Sequence, residues 1–145
     1  MPYKNLRTVP VYRKALELCT MSREIAAYVS YNKDLLLLYQ SNSLRDIIAD
    51  SLITDSILIP QKIAQAECTE SHDVRIKSVA LINIMLRNIL SYCNGLEKDG
   101  VKEKEYINLL RREIKLFRRL YKKWKRSLKG DNGDANWGLN ESFGF

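Results

Sequence analysis

The 145-residue sequence is poor both in residues that break helices and in those that build reaction centres: six glycines, three prolines, three cysteines and a single histidine. The few glycines and prolines fall mostly near proposed helix ends, and the strand signal is weak throughout, so a helical protein is predicted. Cys19, Cys68 and Cys93 are odd in number, widely separated and set within apolar helical patterns. That placement predicts three reduced, mostly buried thiols, and their spacing resembles no metal site. His72 falls in the turn expected before the third helix and has no partners for base catalysis, which predicts a solvated polar residue or cap. No nucleophile with its base, no Glu-x-x-His pattern and no glycine-rich phosphate loop occurs, so neither an enzyme nor a bound cofactor or metal is expected. The first twenty residues lack the apolar core of a secretion signal, and no stretch approaches the roughly 18 apolar residues of a membrane span. A cytosolic (cytoplasmic) location is the resulting expectation.

What the chain does have is length for one domain and an uneven charge. A chain of this size can bury about two thirds of its unfolded surface, enough for an independent core. The net charge of +7 divides into +3 for residues 1–40, −2 for 41–100, +9 for 101–129 and −3 for 130–145. The excess belongs to one segment, which argues for a localised anion-binding face.

Four helices are predicted. The first starts with Thr8 as N-cap and Pro10 in its first turn and runs to about Ser30, with Val11, Ala15, Leu18, Ser22, Ile25 and Val29 as its seam. A polar turn, Tyr31 to Asp34, precedes the second, which extends from about Leu35 to Glu67 with an overhanging first part and a kink rather than a break at Pro60. Leu44, Ile48, Ser51, Asp55, Leu58 and Lys62 hold one row of it, while Leu52, Ile59, Ile63 and Ala66 fill the neighbouring row. Ser71 caps the third helix, which ends near Lys98 before Asp99-Gly100. Its wide apolar face, Val74, Ser78, Leu81, Met85, Ile89, Tyr92 and Leu96 flanked by Ile82, Leu86, Leu90 and Cys93, can serve two neighbours and leave a strip for another subunit. The fourth follows after almost no connection, as an antiparallel hairpin. The expected fold is thus all-α, an antiparallel up-down four-helix bundle over residues 1–129, followed by an acidic tail over 130–145 whose Trp137, Phe143 and Phe145 are candidates for docking.

The segment Lys102 to Lys129 holds 12 of the 24 lysines and arginines. Leu110, Ile114, Phe117, Tyr121, Trp124 and Leu128 recur at spacings of four and three and so share one side of a helix, with cations repeating that spacing one residue later. Between Arg111 and Lys129 there are ten cations and one acid, Glu113. Six like-charged pairs lie four apart, each opposing the helix by roughly 0.2–0.5 kcal/mol. A helix shaped only for solubility would mix both signs. Arg111, Arg112, Lys115, Arg118, Arg119, Lys122, Lys123, Lys125, Arg126 and Lys129 are therefore the candidate contacts to a polyanion, RNA or DNA, through phosphates. A membrane-surface role is disfavoured because the bundle core already claims the aromatics. Asp46, Asp50 and Asp55 read as a solvated acidic face, or as partners for basic residues of an adjoining subunit.

The opening VYRKALELCTMSREI resembles the start of the small four-helix proteins encoded in intervening sequences of large ribosomal RNA genes, where a related aromatic-x-Lys-Ala-x-Glu-Leu motif begins the first helix. The stretch ILIPQKIAQAE, Ile57 to Glu67, is similar to their Ser-Ile-Pro-x-Asn-Ile-Ala-Glu-Gly signature, with Leu58 at the Ser, Lys62 at the Asn, and Gln65 and Ala66 at the Glu and Gly. That family includes the accessory variability determinant of diversity-generating retroelements, a basic protein that associates with a reverse transcriptase and binds nucleic acid. The resemblance covers residues 6 to 129 and implies a barrel-like homopentamer, and for that branch an accessory role to a reverse transcriptase. The alternative expectation is a structural, protein-interaction scaffold with no nucleic-acid role, whose basic helix meets an acidic protein surface.

Overall fold

A computed structural model describes residues 5–132, apart from the side chains of residue 35 and of residues 129–132; among the described residues it is helix and connection, with no strand. A 3₁₀ turn, Leu6–Thr8, leads into α1 (Pro10–Val29), the short α2 (Leu35–Gln40), α3 (Leu44–Cys68), α4 (His72–Lys98) and α5 (Lys104–Asn132). The all-α expectation holds. The docking expected of Trp137, Phe143 and Phe145 concerns positions outside the described residues.

The start of α1 departs from expectation in its cap. Pro10 occupies the first turn, where its missing N–H costs nothing, but Thr8 closes the 3₁₀ turn by donating its hydroxyl to the Asn5 carbonyl at 2.7 Å. Val9 then precedes the helix without a side-chain cap. The whole predicted seam of α1, from Val11 to Val29, is buried.

A second correction concerns the long second helix, which is two helices broken at residues 41–43. Serine and asparagine offer the backbone local side-chain partners in place of helical ones, and three in a row stop α2. Ser43 then caps α3 through the Asp46 N–H, at 3.5 Å. Asp46 is not part of a solvated acidic face. It is buried, 1% exposed, and accepts hydrogen bonds from Lys33 Nζ at 2.7 Å and Ser41 Oγ at 2.8 Å. The Lys33 bond, first among the causes, holds its carboxyl below the usual range against the opposing effect of burial. Asp55 is likewise engaged within the chain, accepting from Tyr92 Oη at 2.7 Å; burial and then this bond push the Tyr92 phenol up to about 12. Pro60 is buried inside α3, which continues through it.

α1 and α4 end with the same backbone pattern built from different residues. After α4, Gly100 sits at φ 85° and donates to Glu97, and the Val101 N–H reaches the Leu96 carbonyl at 3.3 Å while the Val101 side chain is buried. After α1, Tyr31 (φ 58°) takes the place of the glycine, and the Asn32 N–H reaches Ala27 O at 2.7 Å. A side chain in that left-handed conformation costs about 1 kcal/mol or more that glycine avoids.

In the core, α3 packs against α1 and α4, and α5 closes against the same two helices. Arg45 near the start of α3 meets Asp99 just past the end of α4 at 2.8 Å; Lys14 near the start of α1 meets Glu113 in α5, while Tyr28 near its end bonds Glu103 before α5. Leu52, Ile59, Ile63 and Ala66 are the fully buried row of α3, whereas Leu44, heading the other predicted row, is 56% exposed. Gly95 of α4 faces Ile48 of α3, and a Cβ there would stand 2.8 Å from Ile48 Cδ1, so that side chain would have to turn aside. α4 is long and apolar enough by length and composition to cross a membrane, contrary to the sequence expectation. In the fold its Val79, Ile82, Leu86, Ile89 and Cys93 pack inside the protein.

Candidate nucleic-acid interface

α5 is anchored by the aromatic seam that periodicity picked out. Phe117 is fully buried, and Tyr121 and Trp124 are 4% and 7% exposed. Phe117 stacks toward Tyr121 with centroids 6.3 Å apart, and Tyr121 lies 6.3 Å from Trp124 at a tilt of 48°. Two polar tips lock the register of α5 on its neighbours: Tyr121 Oη donates to the Val79 carbonyl of α4 at 2.9 Å, and Trp124 Nε1 donates to Glu67 Oε1 of α3 at 2.8 Å. Burial raises the Tyr121 phenol well above its ordinary value.

With the seam fixed, each residue of offset turns a side chain by about 100° and decides its surroundings. Arg112, Lys115, Arg119, Lys122, Lys123 and Arg126 are all exposed, and none forms an ion pair among the described residues. On a regular helix these six fall within an arc of about 100° opposite the buried seam and extend over about 21 Å. They form a continuous crest of positive charge.

The remaining candidates lie elsewhere. Arg111 turns toward α4, where its guanidinium donates to Glu97 Oε2 at 3.0 Å and Asn94 Oδ1 at 2.8 Å, and also to Asn108 at 2.9 Å. Its bond, and then its charge, hold the Glu97 carboxyl below the usual range. Arg118, seven residues on, is half-buried, and Lys125, a further seven on, is 7% exposed; both interact within the protein. This row runs along the flank of the helix, not its crest. Lys129 is within α5, and its side chain lies outside the described set. The structure thus brings six of the ten candidates together and gives three others internal partners. Glu113, the one acid of the run, points to α1, where Lys14 Nζ meets it at 2.6 Å. That bond is the main cause raising the Lys14 pKa, and it holds the acid of this run against α1.

The other sites considered from sequence carry less. His72 is the first residue of α4 and is half-buried, not solvated. Cys93 is buried, which pushes its thiol up to about 11; Cys19 is half-buried; Cys68, contrary to expectation, is exposed at the end of α3. Among the described residues no three His, Cys, Asp or Glu side chains come together as a metal site. Periodicity had no signal for the apolar cleft between α1 and α5, lined by Met21, Ile25, Tyr28, Tyr106 and Leu109, because its walls come from helices distant in sequence.

The chain matches no family model, no curated protein and no solved structure. The resemblance to the intervening-sequence four-helix family therefore stands on the opening motif and the Ile57 to Glu67 stretch.

Proposed function

We propose that the protein binds RNA or DNA, without catalysis, through the crest of α5. Arg112, Lys115, Arg119, Lys122, Lys123 and Arg126 contact phosphates and confer little base specificity, since backbone contacts position a duplex without reading it. The observation that carries this reading is the set of six exposed cations with no ion pair among the described residues, on the side of α5 opposite its buried rings. Mutual repulsion along the crest opposes the helix, and a polyanion relieves it.

On this reading the four long helices form an antiparallel up-down bundle in the cytosol. The family resemblance extends the proposal to a homopentamer and to an accessory role beside the reverse transcriptase of a diversity-generating retroelement. A second reading, a scaffold for an acidic protein surface, draws on exposed Leu109 and Leu116 beside the crest, 42% and 38% exposed. Changing Lys122 and Arg126 to Glu separates the two, because nucleic-acid retention fails first under one and the protein complex first under the other.

The direct test is the salt dependence of binding. Six phosphate contacts on a duplex predict a log–log slope near −5 and a loss of about 10³ in affinity between 50 and 200 mM salt. A flat response in a gel-shift or anisotropy titration overturns the reading.

A further inference from the structure

Every aromatic side chain of α5 among the described residues is turned away from the crest. Phe117 is fully buried, Tyr121 and Trp124 are buried and bonded to the Val79 carbonyl and to Glu67, and Tyr106 lies edge-on to Tyr28 with centroids 5.2 Å apart. On a regular helix these rings point at least about 150° from the middle of the crest. The other exposed rings, Tyr28, Tyr31 and Tyr39, belong to the end of α1, the turn after it and α2, and Tyr106 precedes the first crest cation, Arg112, by about 9 Å of helix. The exposed apolar side chains beside the crest on α5, Leu109 and Leu116, are aliphatic.

We infer that the crest takes a double-stranded nucleic acid and that single strands compete poorly for it. The inference rests on the proposal that the crest binds nucleic acid, and it names the form. Three features carry it. Proteins that hold single strands gain much of their affinity by stacking bases on exposed rings, and the crest has no such platform among the described residues. Charge density also favours the duplex, whose two strands place a phosphate on about every 1.7 Å of axis, or about twelve along the 21 Å or so of the crest. Six cations then need to meet only half of them. A stacked single strand offers about six phosphates over that length, and all of them would have to face the protein. The third feature is rigidity: the Tyr121 and Trp124 hydrogen bonds fix the rotation of α5, and a stiff duplex meets a fixed row of cations without the conformational freedom that a flexible strand gives up. Paired backbones are common to DNA and RNA duplexes, so both are tested.

The test is fluorescence anisotropy of the full chain with four labelled probes of about 20 nucleotides per strand: a mixed-sequence DNA duplex, the matching RNA duplex, oligo-dT and oligo-U. With six phosphate contacts, the slope of log affinity on log salt is about −5.4 for a duplex and about −4.2 for a single strand. Where charge is the whole interaction the two lines meet near 1 M salt, which favours the duplex about 30-fold at 50 mM and about 7-fold at 200 mM. A preference of that kind for either duplex, shrinking as salt rises, is the expected result. Single strands that bind as tightly as both duplexes overturn the inference, and they leave the crest reading standing when Lys122→Glu with Arg126→Glu abolishes their binding. If no probe binds, or if that double variant binds the duplexes as the wild type does, the crest reading falls and the inference falls with it.

Discussion

Two rows of cations run along α5, one residue apart in sequence and unlike in circumstance. Arg111, Arg118 and Lys125, at intervals of seven, lie on the flank and find partners within the protein. Arg112, Arg119 and Arg126, also at intervals of seven, stand exposed with no ion pair among the described residues, joined by Lys115, Lys122 and Lys123. The difference shows that a basic helix is not one surface. Once the rings fix its rotation, three of the ten cations are engaged within the protein and six are left for something outside.

The largest effect that would break this comparison comes from neutralising the crest. Replacing all six residues with Gln should lower nucleic-acid affinity at 50 mM salt by more than about 10³ and flatten the salt slope, with helicity retained or improved because five of the six like-charged pairs four residues apart disappear. If affinity survives, the crest is not the interface.

Next in size is the lock that sets the helix's rotation. Trp124→Phe removes the indole donor from Glu67, which is 6% exposed, and should destabilise the fold by about 1–3 kcal/mol in urea denaturation. Loosening that lock should also blur the distinction between the rows, so native-state hydrogen exchange should quicken in the second half of α5 before the first.

The smallest effect belongs to the flank. Arg111→Gln should leave the salt slope unchanged and alter affinity less than tenfold, while the Glu97 carboxyl, now without its guanidinium, titrates closer to its ordinary value of 4.5 by NMR. The sign follows from the direction of that shift. Because the folded carboxyl titrates below the unfolded one, the pair's contribution is complete above about pH 4.5 and fades as pH falls through the lowered folded value. The variant should lack that part of the acid sensitivity.

Much of this is legible in the sequence. Val11 to Val29 repeat at helical spacing, and every one of that seam is buried; Ser71 caps α4, and Gly100 ends it, because cap and stop chemistry depends on residues within a turn of each other. The break before α3 was missed because Ser41 and Ser43 act through Asp46, whose burial depends on Lys33 across the turn. Asp55 was misread for a similar reason, since Tyr92 comes to it from another helix.

The sequence by itself determined that the chain is helical, where the rings of α5 point and that its positive charge is concentrated there, because periodicity and local capping act within a few residues. Only the tertiary structure decided which cations stay bare, by bringing Glu97 to Arg111 from α4 and Lys14 to Glu113 from α1. Pairing between distant helices depends on packing geometry that no single segment encodes.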